Sequence, residues 1–364
     1  MTTVCLAVMM KDEEGIILEL LESVKDVVDE YVFLDTGSTD NTIQVVTDFL
    51  SQQDKPFEIN ESEWVDFGTN RTQLMEFAKG HCDYIFVMDA DDVLVGTPDF
   101  SNLTADCYCL KLFNGIEWWR HQLFKDGFPW HYRGVVHEYP HSVVPFTKED
   151  LEGDYYIHAQ SRGSRMMSGE KSKRDIEALE KALAAGEGDT DRYLFYLAQA
   201  YADDGQLWMA VEVFQKRIDY GGWDEESFYS RYRQALCRQA LGDFQWVDTM
   251  LGAWNFRPTR IEPLHDLCRH YRMAGLYEAA YMFGSTALRI PMPKDYLFVD
   301  ADVWKWKIQD ELSMCAFYTN RYDESGELLG YLIVNAPADQ QERIHKHIAV
   351  LDNAQSAVLP QEKE

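Results

Sequence analysis

The sequence is short of basic residues relative to its acidic ones. Its 364 residues contain 34 Lys and Arg against 62 Asp and Glu, which gives a formal net charge of -28 at pH 7. Such a field repels nucleic-acid backbones and anionic membrane surfaces, so we expect neither as a general partner. A phosphate-bearing ligand therefore needs local help from a metal ion, backbone amides or a few well-placed arginines.

Paired cysteines and long apolar runs are also missing. The seven cysteines are scattered without a CxxC pair, which indicates small buried side chains in a reducing compartment. No apolar run approaches the length of a membrane span. The run at residues 4–10 is too short for a signal sequence, and it lacks a preceding basic residue. These absences predict a cytoplasmic protein without a membrane span.

The first part of the chain alternates strand and helix patterns. Apolar runs and helical spacing predict strands at 4–10, 31–35 and 84–88 and helices at 14–28, 39–50 and 69–80. Ser38 or Thr39 is expected to cap the second helix. This alternation predicts an α/β domain with a mostly parallel sheet and helices on both faces. Ligands of such sheets bind beyond the carboxyl ends of the strands.

From about residue 171 the pattern changes to helices without strand signals. The segments that each predict a helix, a tight turn and a second helix are 192–220, 227–254, 261–290 and 301–335. Glycines 205, 242 and 275 in the first three turns stand 37 and 33 residues apart, near the roughly 34-residue period of tetratricopeptide repeats. We therefore predict a first domain at 1–165, a TPR-like helical domain at 166–353 and a frayed tail at 354–364.

Two carboxylates follow the third predicted strand. Asp89 and Asp91 stand two residues apart directly after the apolar segment 84–88. A pair placed in this way can share one hard divalent cation, which can also bind the two phosphates of a nucleotide diphosphate. An isolated pair of this kind is as often a solvated acidic turn, so its meaning depends on the neighbouring segments.

Three further segments accompany this pair in a fixed order. They are residues 11–13 after the first strand, 35–42 after the second strand and 70–71 at the start of a helix. In this order and spacing, the segments resemble family 2 glycosyltransferases over about the first 160 residues. The resemblance implies the GT-A fold, a nucleotide-sugar donor, a Mn²⁺ or Mg²⁺ cofactor and a transfer that inverts the anomeric configuration.

The resemblance also implies roles for single residues. Asp35 matches the acid that binds the nucleotide base, and its carboxylate can accept a hydrogen bond from the imide N–H of uracil. Asp89 and Asp91 match the acids that bind the ribose and the metal ion, with Asp92 in support. Arg71 can place a planar guanidinium on the diphosphate or the base.

The first of these segments departs from the family pattern. Many family members have Asn-Glu there, whereas this chain has Lys11, Asp12 and Glu13. We expect Lys11 and Glu13 to contribute to a donor pocket that differs from the usual one but keeps a carboxylate.

A candidate general base lies further along the chain. Residues 130–138 resemble the His-Glu segment in the lipopolysaccharide-core branch of the family, the WaaE-like transferases. An inverting transfer needs a carboxylate that deprotonates the acceptor hydroxyl. By position Glu138 is the predicted base and Asp126 the alternative. A glutamate after a histidine at a strand end is more often an ion-pair partner.

The end of the first domain offers a third metal ligand. In several GT-A enzymes a histidine beyond the acceptor region completes the metal sphere, and His158 matches that location, with His137 as its competitor. A lone histidine is also commonly structural. Arg162 and Arg165 follow in a stretch rich in Ser, Arg and Gly, which is predicted to close over the diphosphate.

The predicted helical region suggests how an acceptor could be bound. Repeat domains form extended surfaces that usually bind peptides or proteins, so we expect this one to present the acceptor or to join the chain into a homo-oligomer. The favoured interpretation is transfer from a UDP-sugar to a glycan or another hydroxyl acceptor. A polypeptide acceptor and a non-catalytic scaffold are the alternatives, and the intact Asp35, Asp89 and Asp91 argue against the scaffold.

Overall fold

The computed structural model describes residues 2–114, 117–160, 171–186 and 188–358. The chain divides into two compact units, Met1–Ala200 and Tyr201–Glu364. The predicted domain boundary after residue 165 falls outside the described ranges and stays a prediction. None of the helices in those ranges combines the length and the apolar character that a bilayer crossing requires.

The first unit contains a large sheet and flanking helices. Its strands are β1 (Val4–Met10), β2 (Glu30–Asp35), β3 (Phe57–Glu61), β4 (Tyr84–Asp89), β5 (Val93–Gly96), β6 (Cys107–Phe113), β7 (Glu117–Lys125), β8 (Trp130–Arg133), β9 (Tyr139–Ser142), β10 (Lys148–Asp150) and β11 (Tyr155–His158). Its helices are α1 (Ile17–Val24), α2 (Thr42–Leu50), α3 (Phe67–Ala78) and α4 (Lys171–Ala185), and α5 (Thr190–Asp203) runs across the unit boundary.

The strand order confirms the predicted fold class. The large sheet runs β3-β2-β1-β4-β7-β6-β11-β5, with β10 paired to β6, and β8 and β9 form a separate antiparallel pair. Strands β1 to β4 pair in parallel, whereas β7 is antiparallel to both β4 and β6. The α/β fold with a mostly parallel sheet is therefore confirmed.

The central strands are continuous apolar runs because both faces of the sheet are covered. Alternate residues of β1 enter different cores: Leu6 and Val8 pack with Leu20 of α1, whereas Cys5 packs in the cluster that contains Leu74 of α3. Successive strand residues point to opposite faces, so α1 and α3 lie on opposite sides of the sheet, as predicted.

The start of α2 differs from the prediction. Ser38 and Thr39 were expected to cap this helix, but the residue before it is Asn41, which makes no side-chain capping bond. Ser38 instead donates to Asp35, and the backbone N–H of Thr39 donates to Asp12. The polar side chains after β2 therefore organise the loop and not the helix end.

The second unit is built from helical pairs, as predicted. Its helices are α6 (Leu207–Tyr220), α7 (Asp224–Ala240), α8 (Trp246–Phe256), α9 (Glu262–Met273), α10 (Tyr277–Ala287), α11 (Ile308–Tyr318), α12 (Tyr322–Asn335) and α13 (Gln341–Val358), with a π-helical turn at Val303–Lys307. The predicted turn glycines Gly205, Gly242 and Gly275 all have φ between +70° and +79°, a conformation that glycine adopts without strain.

The predicted frayed tail begins as helix in the part of the chain that the structure describes. Residues from 354 onward were predicted to be frayed, but α13 continues through Val358. Ile344 and Leu351 of this helix are buried in a cluster with Leu329 and Leu332 of α12. These contacts anchor the part of α13 that precedes residue 354. Residues 359–364 lie outside the described ranges.

Candidate active site

The carboxyl ends of three parallel strands meet at one edge of the sheet. Met9 of β1 pairs with Asp89 of β4, and Met10 pairs with Asp35 of β2. The two predicted acids therefore flank β1 and follow strands that lie two spacings apart, about 10 Å. The sheet register brings together the two loops that the sequence predicted as donor-binding.

The carboxylate of Asp35 organises the loop after β2. It is 1% exposed, and its Oδ1 accepts hydrogen bonds from the backbone N–H groups of Gly37 at 2.9 Å and Ser38 at 2.8 Å. Its other oxygen accepts from the Ser38 hydroxyl. A nucleotide base that used Asp35 would have to compete with these donors. The predicted contact between Asp35 and the base stays a prediction.

The segment after β1 is bonded to this same loop. The backbone N–H of Asp12 donates to Ser38 Oγ at 3.0 Å, and that of Glu13 donates to Thr42 Oγ1 at 2.7 Å. Asp12 has φ +55°, a left-handed conformation that asparagine and aspartate tolerate better than most residues. These bonds hold Lys11 and Glu13 beside the loop.

A cavity of about 620 Å³ opens beside these two segments. It is lined by Met9, Met10, residues 11–13, Thr36, residues 64–67, Val135, Val136, Arg174 and Ala178. Trp64, which is 40% exposed, packs edge-on against Phe67 with ring centroids 4.8 Å apart. Such a volume suits a small-molecule ligand, and Lys11 and Glu13 both reach it.

A cluster of alternating charges contains three of the predicted site residues. Arg71 Nη2 bonds to Asp89 Oδ1, and its Nε lies 2.7 Å from Glu138 Oε1 in an ion pair without hydrogen-bond geometry. Arg120 Nη2 lies 3.1 Å from Asp89 Oδ2 and 3.4 Å from Asp92 Oδ2. Arg71 thus joins the predicted metal-binding acid to the predicted base.

The acids of this cluster titrate differently. Burial opposes ionisation of Asp89, but the Arg71 and Arg120 guanidiniums hold its pKa well below the usual range. Burial, and then the Asp89 charge, raise the pKa of Asp92 to about 8. Burial also raises the pKa of Glu138, and Arg71 opposes that shift. A general base acts best when its pKa lies near the working pH, so the direction of the Glu138 shift suits the predicted role.

A close backbone approach positions the cluster. A Cβ on Gly68 in α3 would lie 2.5 Å from the carbonyl oxygen of Gly134, whose own φ is +109°. Only glycine fits such a contact. Helix α3 carries Arg71 and the loop after Gly134 carries Glu138, so this contact fixes the distance between the two side chains.

The predicted metal ligands are less closely assembled. His158 is exposed at the end of β11, where it pairs with Val93, and Asp91 is partly buried. In the part of the chain that the structure describes, no group of three or more His, Cys, Asp or Glu side chains could hold a metal ion. Mg²⁺ commonly uses one or two carboxylates together with substrate phosphates, so Asp89 and Asp91 fit it chemically. The role of His158 stays a prediction.

The alternative base is excluded by its position. Lys125, which precedes Asp126, pairs with Tyr84 at the start of β4, whereas Asp89 ends that strand. The length of β4 therefore separates Asp126 from the cluster by about 17 Å. The Asp126 carboxylate accepts a hydrogen bond from the backbone of Gly80 at 3.1 Å. Its interpretation as a base is wrong, and a structural role replaces it.

His137, the alternative to His158 as a metal ligand, packs against a tyrosine. The ring of His137 stacks on Tyr196 with centroids 3.9 Å apart and an interplanar angle of 7°. This contact anchors the loop before Glu138 on α5. Arg162 and Arg165, which were predicted to close over the diphosphate, lie outside the described residues.

Sequence reasoning missed Arg120. It lies in β7, and it reaches Asp89 because β7 pairs with β4 on the side away from β1. The available signal was a lone arginine within an aromatic-rich strand, in Glu117–Lys125. Neither the strand pairing nor the direction of the side chain could be read from that pattern.

Comparison with known proteins relates part of the first unit to a family. Residues 5–97 match the family model described as glycosyl transferase family 2. One curated relative, a TPR repeat-containing protein from Synechococcus elongatus, is 36% identical over 96 residues, which cover 26% of this chain and 22% of the relative. The chain thus matches only about a fifth of that protein's length.

Two solved structures show partial similarity. S. aureus TarS, residues 1–349, crystallised with UDP-GlcNAc, has a TM-score of 0.37 at 14% identity and covers 67% of this chain and 89% of its own. The C-terminal part of a TPR repeat-containing protein from Cytophaga hutchinsonii has a TM-score of 0.38 at 13% identity, with 47% and 62% covered.

The family match includes Asp35, Arg71, Asp89 and Asp91, whereas Glu138 and His158 lie beyond it. The helical pairs of the second unit carry the predicted repeat pattern. Residues 5–97 therefore match a family 2 glycosyltransferase domain, and a region of TPR-like helical pairs follows in the second unit.

Proposed function

We propose that this chain is a metal-dependent, inverting glycosyltransferase that moves a sugar from a UDP-sugar to a hydroxyl group of a glycan. The observation that carries the proposal is the junction of Arg71 with both Asp89 and Glu138 at the carboxyl edge of the sheet. There the side chain of Arg71 contacts both Asp89, the proposed site of the leaving group, and Glu138, the proposed proton acceptor.

The donor nucleotide is assigned to the cavity of about 620 Å³ beside β1 and β2. The support for this assignment is the position of the cavity beyond the strand ends, where ligands of α/β sheets bind. Arg71 and Arg120, which now neutralise Asp89, carry guanidinium N–H groups that can bind the diphosphate. Uracil is proposed from the family resemblance of the Asp35 segment.

Asp89 and Asp91 are the proposed protein ligands of Mn²⁺ or Mg²⁺. When bound, such an ion neutralises the charge that develops on the departing diphosphate. Both Asp89 oxygens now contact arginines, so a cation at this residue competes with Arg71 and Arg120. Asp91 is the proposed ligand that is substituted to test the ion.

Glu138 is the proposed general base. Its carboxylate takes the proton of the acceptor hydroxyl as that oxygen forms a bond to the anomeric carbon. The bond from that carbon to the diphosphate breaks, and its electron pair leaves with UDP. Burial raises the pKa of Glu138, which strengthens the carboxylate as a base. Attack from the face opposite the diphosphate inverts the anomeric configuration.

The base is tested with Glu138→Gln. We expect transfer to fall by about 10²–10⁴-fold, while the affinity for UDP, measured by calorimetry, stays close to that of the unsubstituted chain. Glu76→Gln on the exposed face of α3 is the matched control. Full transfer activity in Glu138→Gln would remove Glu138 from the mechanism.

The cation is tested with Asp91→Asn, and Asp54→Asn at an exposed position is its control. We expect Asp91→Asn to lose the Mn²⁺-dependent thermal shift with UDP, because ligand binding stabilises only the form that binds it. Screening UDP, GDP and dTDP with and without Mn²⁺ identifies the nucleotide base of the donor. A chain that shows no shift with any nucleotide would be the non-catalytic scaffold.

A further inference from the structure

A groove in the second unit has a composition opposite to that of the chain as a whole. It encloses about 490 Å³ and is lined by side chains from α9, the π-helical turn, α11 and α13. Four of these side chains carry a permanent positive charge, namely Arg269, Arg272, Lys307 and Arg343, against the two carboxylates of Asp310 and Glu311. Lys307 is paired with Asp300, which does not line the groove, at 2.6 Å. A local excess of one positive charge therefore remains, and in a chain of net charge -28 it favours an anionic ligand there.

Helical spacing produces this convergence. Arg269 and Arg272 stand three residues apart on α9, and Arg343 and His347 stand four apart on α13. Side chains with these separations lie on one face of a helix. Both helices therefore turn a basic face towards the same groove.

The two acids hold two of the arginines in place. Arg343 forms a bidentate pair with Asp310, with both N–O distances at 3.0 Å. Arg272 bonds to Glu311 through Nε, and its Nη2 lies 3.3 Å from the other oxygen. Arg269 is exposed and forms no ion pair with any residue in the described ranges. The groove thus combines fixed guanidinium groups with one whose charge is not neutralised.

Two ring nitrogens in the groove have unmet hydrogen bonds. Trp306 Nε1 and His347 Nδ1 are buried atoms without a hydrogen-bond partner among the described residues. Burial, and then the neighbouring Arg343, lower the pKa of His347, so its ring is neutral at pH 7. Met273 and Met314 add apolar lining. Buried polar atoms are normally paired, so these nitrogens indicate a site that a polar ligand completes.

We propose that this groove binds a phosphate ester. A phosphate monoester carries a charge of about -1.5 to -2 at pH 7 and has three strong acceptor oxygens. Its three oxygens can accept hydrogen bonds from several donors of the groove at once, whereas a carboxylate offers only two oxygens. Guanidinium groups suit phosphate in geometry, and Trp306 with the two methionines can cover the organic part of the ester. The inference does not depend on the transferase activity.

The test uses calorimetry on the full chain with phenyl phosphate, inorganic phosphate and phenylacetate at constant ionic strength. We expect phenyl phosphate to bind most tightly, because only it has both three acceptor oxygens and an aromatic part. Phenylacetate binding as tightly would overturn the phosphate assignment. Inorganic phosphate binding as tightly as phenyl phosphate would overturn the assignment of an ester.

Arg269→Gln locates the binding site. A charge-assisted hydrogen bond is worth about 1.5–3 kcal/mol, so this variant should weaken phenyl phosphate binding by about tenfold or more. Arg269 is exposed, and its loss breaks no ion pair to a described residue. Arg289→Gln, exposed on the turn after α10 and outside the groove, is the matched control. Equal affinity in Arg269→Gln and Arg289→Gln would refute the site.

Discussion

The close contact between Gly68 and Gly134 predicts that alanine at position 68 destabilises the protein, whereas helix propensity alone predicts that it stabilises the protein. Gly68 is the second residue of α3, where alanine would normally stabilise the helix by about 0.5–1 kcal/mol. In this protein a Cβ at Gly68 would stand 2.5 Å from the Gly134 carbonyl oxygen, and ordinary contact begins at 3.4 Å. Gly68→Ala should therefore destabilise the first unit.

The size of the effect follows from the distance. The two backbones must separate by about 0.9 Å to turn the overlap into a contact. Overpacking of this kind costs about 1–3 kcal/mol, and the propensity gain offsets part of it. A net loss of about 1–2 kcal/mol should lower the Tm of a unit of this size by roughly 2–8 °C. The displaced loop should also lengthen the 2.7 Å contact between Arg71 and Glu138.

Thermal unfolding followed by circular dichroism measures this prediction, and Gly15→Ala is its control. A Cβ at Gly15 meets nothing within 4 Å, and its φ is not positive. Alanine there should leave the Tm unchanged or raise it slightly. If Gly68→Ala unfolded at the same temperature as Gly15→Ala, the close backbone approach could not be what positions the cluster.

Two further predictions concern charge. Burial raises the pKa of Glu138, so protonation should abolish its action as a base as the pH falls. The decline in kcat should therefore begin at a pH above the ordinary glutamate pKa of about 4.3. A kcat that stays constant down to that pH would contradict the assignment. In the second unit Arg217 is fully buried 2.9 Å from Glu226, so Arg217→Met should lower the free energy of unfolding in urea by about 3–5 kcal/mol. The double variant Arg217→Met, Glu226→Leu should recover most of that loss, and no recovery would show that the pair is not the cause.

Much of the fold could be predicted because its signals are local. The strands at 4–10 and 84–89 are apolar runs closed by polar residues, and their predicted bounds agree with the structure to within a residue. The helical pairs of the second unit follow from apolar spacing and from turn glycines with positive φ. Helix ends were predicted less well, because Ser38 and Thr39 bond to acids in the preceding loop and do not cap α2.

The candidate site was predicted only in part. The sequence placed Asp35 and Asp89 at strand ends, and parallel pairing on either side of β1 brings those ends together. Asp126 remained an alternative to Glu138, because no local sequence pattern shows the direction in which β7 runs beside β4. That direction puts Asp126 at the far edge of the sheet.

The sequence by itself determined where the three central strands, the helices beside them and the helical pairs lie, and which acids follow those strands, because hydrophobic periodicity and glycine conformation act over a few residues. Only the tertiary structure decided that Arg71 joins Asp89 to Glu138, that Arg120 reaches Asp89 from β7, and that basic faces of α9 and α13 share one groove. These contacts join residues that are tens of positions apart in the chain, and strand order and helix packing bring them within a few ångströms of each other.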